Sequence, residues 1–321
     1  MIMNAAKRRA PWSYKRLIVF ALASFLALAA CGSEAQLLSD ESAVVRDISL
    51  FTDDRIAAAE GTNVHLWRDG DETTTVFNHT TRVNTVATLN NGRILSGGSD
   101  GLVRIWDPTQ PNAEPIIFTA HIGQVLAIAE LPDGRVASGD NHEELHIWDP
   151  NEPAPRPDFT LSTSSAALGL LPDGRLVSTH PQQSLVQIWD PSTPDAQPDV
   201  VEYHEGIVRA IDVLADGRVA TGDIDGLVQV WDPQVPNADP TTLLEHEGEV
   251  HAVTALDDGR IVTGGADGSV IVWDLTEPTS PVSVFDERDA VRSLATTSTG
   301  VVLAGFNDGK LRTWDPSSDE R

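Results

Sequence analysis

The 321-residue sequence contains one cysteine, Cys31, so no disulfide bond can form within the chain. Lysine is almost absent, since Lys310 is the one lysine beyond residue 30. The formal net charge is −26, because 48 Asp and Glu face 22 Lys and Arg. Such an acidic surface repels nucleic-acid phosphates and anionic lipid headgroups, so neither is expected as a partner.

Long apolar runs are also missing. The longest, Leu17 to Ala30, is too short for a comfortable membrane span. It follows the basic stretch KRRAPWSYKR and ends in LAAC, an order that resembles the lipobox of bacterial lipoproteins. The alternatives are an ordinary secretory signal or a short anchor with an incidental cysteine. We expect residues 1–30 to be a signal peptide, Cys31 to be the lipid attachment site, and residues 31–34 to include a short linker. The protein would then be exported and held at a membrane of the bacterial cell envelope.

What the sequence has in abundance is a repeat. The stretch TGDIDGLVQVWD, Thr221 to Asp232, recurs with changes along the chain. Its tryptophans lie 39 to 42 residues apart, at positions 67, 106, 148, 189, 231, 273 and 314. That period indicates stacked supersecondary units. Asp-Gly turns between alternating apolar runs are typical of β-hairpins, and the Pro-rich segments after Trp-Asp predict exposed loops.

A unit of about 41 residues that ends in Trp-Asp resembles the WD-repeat family of β-propellers. The resemblance covers residues 35–316 and implies an all-β, seven-bladed β-propeller of four-stranded antiparallel blades, followed by a tail at residues 317–321. The seventh unit lacks an outer strand, and residues 35–50 align without a gap on residues 241–256. We therefore expect Gln36 to Ser39 to complete the last blade and close the ring, which removes an exposed sheet edge.

That family often links four side chains inside a blade: a His before the innermost strand, a Ser or Thr, the turn Asp, and the Trp. Such networks are structural, because each buried donor meets an acceptor. Three units contain the full set: His79, Ser96, Asp100 and Trp106; His204, Thr221, Asp225 and Trp231; and His246, Thr263, Asp267 and Trp273. Unit three keeps His121, Ser138 and Trp148 but has His142 and Glu143 where the aspartate is expected.

The segment HEELH, His142 to His146, matches the H-E-x-x-H zinc signature, which operates on a helix. Here it spans a hairpin turn and a strand, where residues four apart lie about 13 Å from each other at ~3.3 Å per residue. That separation is too large for two ligands of one zinc ion, so no metal site is expected. No Ser, His and acid set stands outside the repeat, and no Gly-rich phosphate loop follows a parallel strand. We accordingly assign no catalytic residue and expect no cofactor.

In this family, interaction surfaces commonly lie at the loops before the innermost strands. The positions beside the first apolar residue of these strands hold a largely hydrogen-bonding set: Arg82, Asn84, Gln124, Arg209, Glu249, His251 and Arg292. Donors gathered at a channel mouth predict a rim that binds an acidic or polar partner, and the alternative is an ordinary solvated surface.

The favoured function is a non-catalytic platform for protein partners in the cell envelope, with the membrane contacted only through the lipid anchor. The alternative is a propeller hydrolase or lyase that acts on a polysaccharide at the channel mouth. A pair of channel carboxylates with shifted pKa values would favour the enzyme.

Overall fold

The computed structural model describes residues 33–35, 43–68, 74–193, 195–235, 238–244 and 246–317. Within these ranges the regular structure consists of β-strands, and no helix there is long and apolar enough to cross a membrane. Cys31 and the predicted signal peptide lie outside the described residues.

In the described part of the chain, one N-terminal strand is followed by the twelve strands of the first three repeats. In chain order the strands are β1 (Ser33–Ala35), β2 (Val45–Leu50), β3 (Arg55–Glu60), β4 (Asn63–Arg68), β5 (Thr75–Asn78), β6 (Val83–Thr88), β7 (Ile94–Gly98), β8 (Val103–Trp106), β9 (Ile116–Phe118), β10 (Val125–Glu130), β11 (Val136–Asp140), β12 (Leu145–Trp148) and β13 (Pro157–Leu161).

The remaining strands repeat the same pattern. They are β14 (Ala167–Leu170), β15 (Leu176–Thr179), β16 (Val186–Trp189), β17 (Asp199–Val201), β18 (Val208–Val213), β19 (Val219–Asp223), β20 (Leu227–Trp231), β21 (Thr241–Leu244), β22 (Val250–Ala255), β23 (Ile261–Gly265), β24 (Ser269–Trp273), β25 (Ser283–Asp286), β26 (Val291–Thr296), β27 (Val302–Phe306) and β28 (Leu311–Trp314).

These strands form seven antiparallel four-stranded sheets, which confirms the predicted seven-bladed propeller. Blades one to six each contain four consecutive strands, from β2–β5 to β22–β25. Blade seven has the strand order β1-β28-β27-β26, so its outermost strand comes from the N-terminal side of the chain. The sequence placed that strand at Gln36–Ser39, which lies outside the described residues, and that assignment stays a prediction. The observed β1 begins at Ser33, inside the segment predicted as a linker.

Among the residues that the structure describes, the apolar core is divided into seven clusters, and each cluster lies between two adjacent blades. In one of them Trp106 of blade two packs with Phe51, Leu66 and Phe77 of blade one. Another joins Leu303 and Leu311 of blade seven to Val45, Ile48 and Ile56 of blade one. Side-chain packing therefore closes the ring, because no blade can cover both of its own faces.

Blade one corrects the predicted alignment of residues 35–50 with residues 241–256. Val45 and Val250 occupy the same position, because each pairs with the last residue of the following strand and each precedes a β-bulge. The gapless alignment would place Val45 opposite His251, one residue out of register. A one-residue slip exchanges the two faces of a strand, so this correction decides which side chains of β2 face the channel.

Blade six contains the four-residue network in the predicted order. The Nε2 atom of His246 lies 2.7 Å from Thr263 Oγ1, and its Nδ1 atom lies 3.0 Å from Asp267 Oδ2. Trp273 Nε1 donates a hydrogen bond of 3.0 Å to Thr263 Oγ1. These bonds satisfy polar groups that the blade buries.

Blade two inserts a fifth residue into its network. His79 and Trp106 both bond to Ser96 Oγ, as predicted, but Arg104 stands between His79 and Asp100. Arg104 Nη1 donates to His79 Nδ1 at 3.0 Å, and Arg104 Nη2 donates to Asp100 Oδ2 at 2.8 Å. Burial and the charge of Arg104 lower the pKa of His79 to about 4, so the imidazole is neutral and accepts this bond.

In blade five the prediction that the turn aspartate, Asp225, belongs to the network is wrong. The carboxylate that meets His204 Nδ1, at 2.8 Å, belongs to Asp223, the last residue of β19. Its other oxygen accepts the backbone N–H groups of Asp225 and Leu227, both at 2.9 Å. Asp225 itself is exposed.

The choice between the two aspartates has a steric cause. Blade six has Gly265 at the end of its strand, and a Cβ atom there would lie 2.6 Å from His246 Nδ1 and 2.8 Å from Asp267 Oδ1. The strand-end side chain and the turn carboxylate thus compete for one volume. Where the strand ends in aspartate, as at Asp140 and Asp223, that residue fills the volume itself.

Asp223→Ala should therefore destabilise the protein, whereas Asp225→Ala should not. The first change leaves His204 and two backbone N–H groups without their acceptor, at a cost of about 2–4 kcal/mol. The second removes an exposed carboxylate, which typically changes stability by less than about 0.5 kcal/mol. Urea unfolding of both variants measures the difference, and equal effects would contradict the corrected network.

Candidate functional site

Six of the seven innermost strands contain a β-bulge at the same position, one residue after the first buried valine. A bulge leaves one residue unpaired and redirects its side chain. All six bulged residues line one central cavity of about 420 Å³. We call this set the bulge ring: Arg46, Asn84, Leu126, Arg209, His251 and Arg292. In blade four, β14 pairs with β15 without a shift of register.

The bulge ring is positively charged, although the protein as a whole is strongly acidic. It contains three arginines and no carboxylate. Arg209 Nε donates to Glu249 Oε1 at 3.3 Å, which offsets one charge. Among the described residues, no carboxylate pairs with Arg46 or Arg292. Burial, together with the charges of Arg82 and Arg292, lowers the pKa of Arg46. Like charges are thus held together at the mouth, where an anionic group would relieve their repulsion.

His251 belongs to the same electrostatic unit. Arg292 Nη1 donates a 2.9 Å hydrogen bond to His251 Nε2, and Arg292 Nε donates to Asn307 Oδ1 at 2.7 Å. Burial and the charge of Arg292 lower the pKa of His251 to about 4. His251 is therefore neutral near pH 7, and it orients the guanidinium without adding charge.

The cavity also contains two carboxylates, Asp47 and Asp212, on the innermost strands of blades one and five. Burial raises the pKa of Asp47 to about 6 and raises that of Asp212. Asp47 Oδ2 accepts hydrogen bonds of 2.9 Å from Thr85 Oγ1 and Val86 N of blade two. Asp212 Oδ2 accepts one of 2.8 Å from Ala255 N of blade six. Each carboxylate therefore ties its blade to the next.

The structure separates the seven predicted rim residues into two groups. Asn84, Arg209, His251 and Arg292 belong to the bulge ring, whereas Arg82, Gln124 and Glu249 precede the valine. The second group supports the first: Arg82 donates to Asn84 Oδ1 at 3.1 Å and to Gln124 Oε1 at 3.2 Å.

Sequence reasoning missed Arg46, because the one-residue error in aligning residues 35–50 concealed it. The dipeptide Val45-Arg46, matched to Val208-Arg209, is the signal that identifies it.

Arginines on the opposite face of the disk have a different environment. Each lies two residues after a turn aspartate and pairs with it, at 2.7–3.0 Å: Arg55, Arg135, Arg175, Arg218 and Arg260. Exposed ion pairs of this kind contribute little to stability. Each arginine is also neutralised by its own aspartate, in contrast to Arg46 and Arg292 of the bulge ring.

Comparison with known proteins agrees with this architecture. Three segments, residues 70–107, 198–232 and 239–274, match the family described as WD domain, G-beta repeat. They are the three units in which the sequence has the His, the Ser or Thr, the turn Asp and the Trp at the expected positions. The chain is also similar to the crystal structure of the WD40 beta propeller domain of Doa1, with a TM-score of 0.77. That match has 21% sequence identity and covers 91% of this chain and 98% of that chain, so it shows the fold. The search of curated proteins found no match.

Arg292→Ala should raise the pKa of His251, because it removes the positive charge that, after burial, contributes most to lowering it. The Cε1 proton of His251, followed by NMR during a pH titration, reports this value. Arg218→Ala, on the opposite face, is the matched control and should leave the titration unchanged. An unchanged His251 titration in the Arg292 variant would contradict the coupling.

Proposed function

Because the chain is a seven-bladed propeller that contains WD repeats, we propose that it is a non-catalytic platform for protein partners. WD40 propellers are typically protein-interaction scaffolds. The observation that carries the proposal is the convergence of Arg46, Arg209 and Arg292 from three bulged strands at one mouth. The partner would present acidic side chains, or a chain terminus, to these guanidinium groups.

The size of the site limits what enters it. A cavity of about 420 Å³ accommodates a few side chains and not a folded domain. We therefore infer that a partner inserts a short acidic segment while the rest of it contacts the surrounding loops. Guanidinium groups suit this role, because they bind carboxylates through two parallel hydrogen bonds.

The raised pKa values of Asp47 and Asp212 are the feature that would favour a polysaccharide-cleaving enzyme. Such enzymes place two carboxyl groups on either side of one bond, about 5–10 Å apart. Asp47 and Asp212 come from blades one and five, which are not neighbours in the ring. Each is also hydrogen-bonded to the backbone of the next blade. Their arrangement supports a structural role and hence the binding platform.

The proposed location of the protein in the cell is inferred from the N-terminal sequence. The basic stretch, the apolar run and Cys31 support export and lipidation at the bacterial cell envelope. Two acyl chains suffice for stable anchoring, whereas one binds only marginally. The strongly acidic surface would keep the propeller from lying flat on anionic lipid, so the channel mouth would stay accessible to a partner.

The triple change Arg46→Ala, Arg209→Ala and Arg292→Ala should weaken binding of a ten-residue Glu-rich peptide by at least about 100-fold. Each hydrogen bond to a charged group contributes about 1.5–3 kcal/mol. Fluorescence anisotropy of the labelled peptide, at low and at physiological ionic strength, measures the affinity. The same triple variant should fail to retain protein partners captured from an envelope extract.

The matched control removes three arginines from the opposite face: Arg135→Ala, Arg175→Ala and Arg218→Ala. It changes the net charge equally, so its affinity should stay close to that of the wild type. Equal losses in both triple variants would mean that binding reports overall charge, and the proposed mouth would be wrong. Circular dichroism confirms that each variant is folded.

Cys31→Ser should abolish lipidation and leave an unprocessed precursor, because the thiol is the acceptor of the diacylglyceryl group. The wild type should partition into the detergent phase, and its N-terminal peptide should carry the added lipid mass. Mass spectrometry of that peptide decides the question. An unmodified Cys31, or cleavage at another position, would reduce the protein to an ordinary secreted propeller.

A further inference from the structure

Blade three departs from the other networks at its histidine. His121 Nε2 lies 2.7 Å from Ser138 Oγ, which also accepts the Trp148 indole N–H at 2.9 Å. His121 Nδ1, however, has no hydrogen-bond partner, although the atom is buried. The nearest strand-end carboxylate, Asp140 Oδ2, lies 3.6 Å away. The corresponding contact between His204 and Asp223 in blade five is 2.8 Å.

A second histidine faces this nitrogen. His146 lies on β12, two residues before the tryptophan, at the position that Arg104 occupies in blade two. Its Nδ1 atom lies 2.8 Å from Thr160 Oγ1, while its Nε2 atom is buried without a hydrogen-bond partner. The His121 and His146 rings have centroids 4.5 Å apart. His121 Nδ1 and His146 Nε2 are therefore both available in the same small volume. Each ring is oriented by a hydrogen bond at its other nitrogen.

Glu144 supplies an oxygen at the same place. Its Oε2 atom lies 3.4 Å from His146 Nε2, and one ligand atom from each of His121, Glu144 and His146 lies within 4.8 Å of the others. Ligands at ~2.0–2.1 Å from a tetrahedral zinc ion are about 3.3 Å apart, so small side-chain rotations suffice to bind one ion. The two histidines are buried, but the side chain of Glu144 is 24% exposed, which provides an entry path.

We propose that His121 Nδ1, His146 Nε2 and the Glu144 carboxylate bind a divalent transition-metal ion such as Zn²⁺. Two imidazoles and one carboxylate form a ligand set that suits zinc, whereas Mg²⁺ and Ca²⁺ prefer sites made only of oxygen ligands. Ser138 and Thr160 complete the site, because each accepts the proton of the non-ligating nitrogen and so directs a lone pair at the metal. Asp140, or a donor from outside the chain, takes the fourth position.

This site differs from the one that the HEELH segment suggested. The rejected pair was His142 and His146, and His142 is indeed exposed and outside the cluster. The second histidine comes instead from the loop before β10, which only the tertiary fold brings to β12. The HEELH segment alone offers no metal site, because His142 and His146 are too far apart on a strand to bind one ion. The site also lies within blade three, apart from the bulge ring, so it does not depend on the proposed partner-binding mouth.

Titration of the chelator-treated full chain with ZnCl₂, by isothermal calorimetry, tests the proposal. Excess Mg²⁺ in the buffer occupies the exposed carboxylates of this acidic protein. We expect one Zn²⁺ per chain, and we expect Glu144→Gln and His146→Gln each to lower the affinity by at least about 100-fold. Thr160→Val, which removes only the acceptor of the His146 proton, should lower it by about 10–100-fold.

The matched control is His142→Gln, which removes the other histidine of the same segment and should bind zinc like the wild type. Co²⁺ in place of Zn²⁺ should give the visible absorption of a tetrahedral N,O site in the wild type and in the control. Absence of stoichiometric zinc, affinity unchanged in Glu144→Gln, or affinity lost in His142→Gln would each overturn the proposal. Because Glu144 is partly exposed, its variant should fold, and circular dichroism in the presence of chelator verifies this.

Discussion

Every other feature of this protein depends on the need of each blade to have its two faces covered by its neighbours. A four-stranded sheet with apolar side chains on both faces is not stable alone. Each of the seven clusters accordingly contains residues from two blades, and each includes a motif tryptophan: Trp67, Trp106, Trp148, Trp189, Trp231, Trp273 or Trp314. Blade seven satisfies the same requirement by packing on blade one.

Close packing of the blades also determines which positions have no room for a side chain and must be glycine. Gly222 lies against Val250 of the next blade, and a Cβ atom at that position would collide with the valine. Such contacts fix the spacing of the innermost strands around the channel. The bulges then turn one residue per strand toward the channel mouth, while the flanking residues keep their place in the core. The residues of the bulge ring therefore occupy a position that the core leaves free to vary.

A second variable position lies inside the blades, two residues before each tryptophan. It holds one of four residue types: His65, Arg104, His146, Gln187, Gln229, Ile271 and Arg312. In blade six, the apolar Ile271 accompanies the simple four-residue network. In blade two, Arg104 enters the network, and in blade three, His146 meets His121. In blades two, three and six, the chemistry of the network thus depends on one side chain next to the His and the Ser or Thr.

The sequence by itself determined the fold and much of its detail. The tryptophan spacing and the Asp-Gly turns predicted seven repeated units built from β-hairpins, and the resemblance of these units to WD repeats implied the blades of a propeller. The resemblance also implied the network of His246, Thr263, Asp267 and Trp273, which the structure contains.

Only the tertiary structure decided between alternatives that differ by one or two residues. Asp223 replaces Asp225 because the strand-end side chain and the turn carboxylate compete for one volume. Arg46 joins the bulge ring because β2 is bulged directly after Val45, whereas the gapless alignment of residues 35–50 was one residue out of register. His121 and His146 lie in contact because the fold brings the loop before β10 next to β12. Sequence spacing describes position along the chain, whereas contact depends on register and on which face each side chain takes.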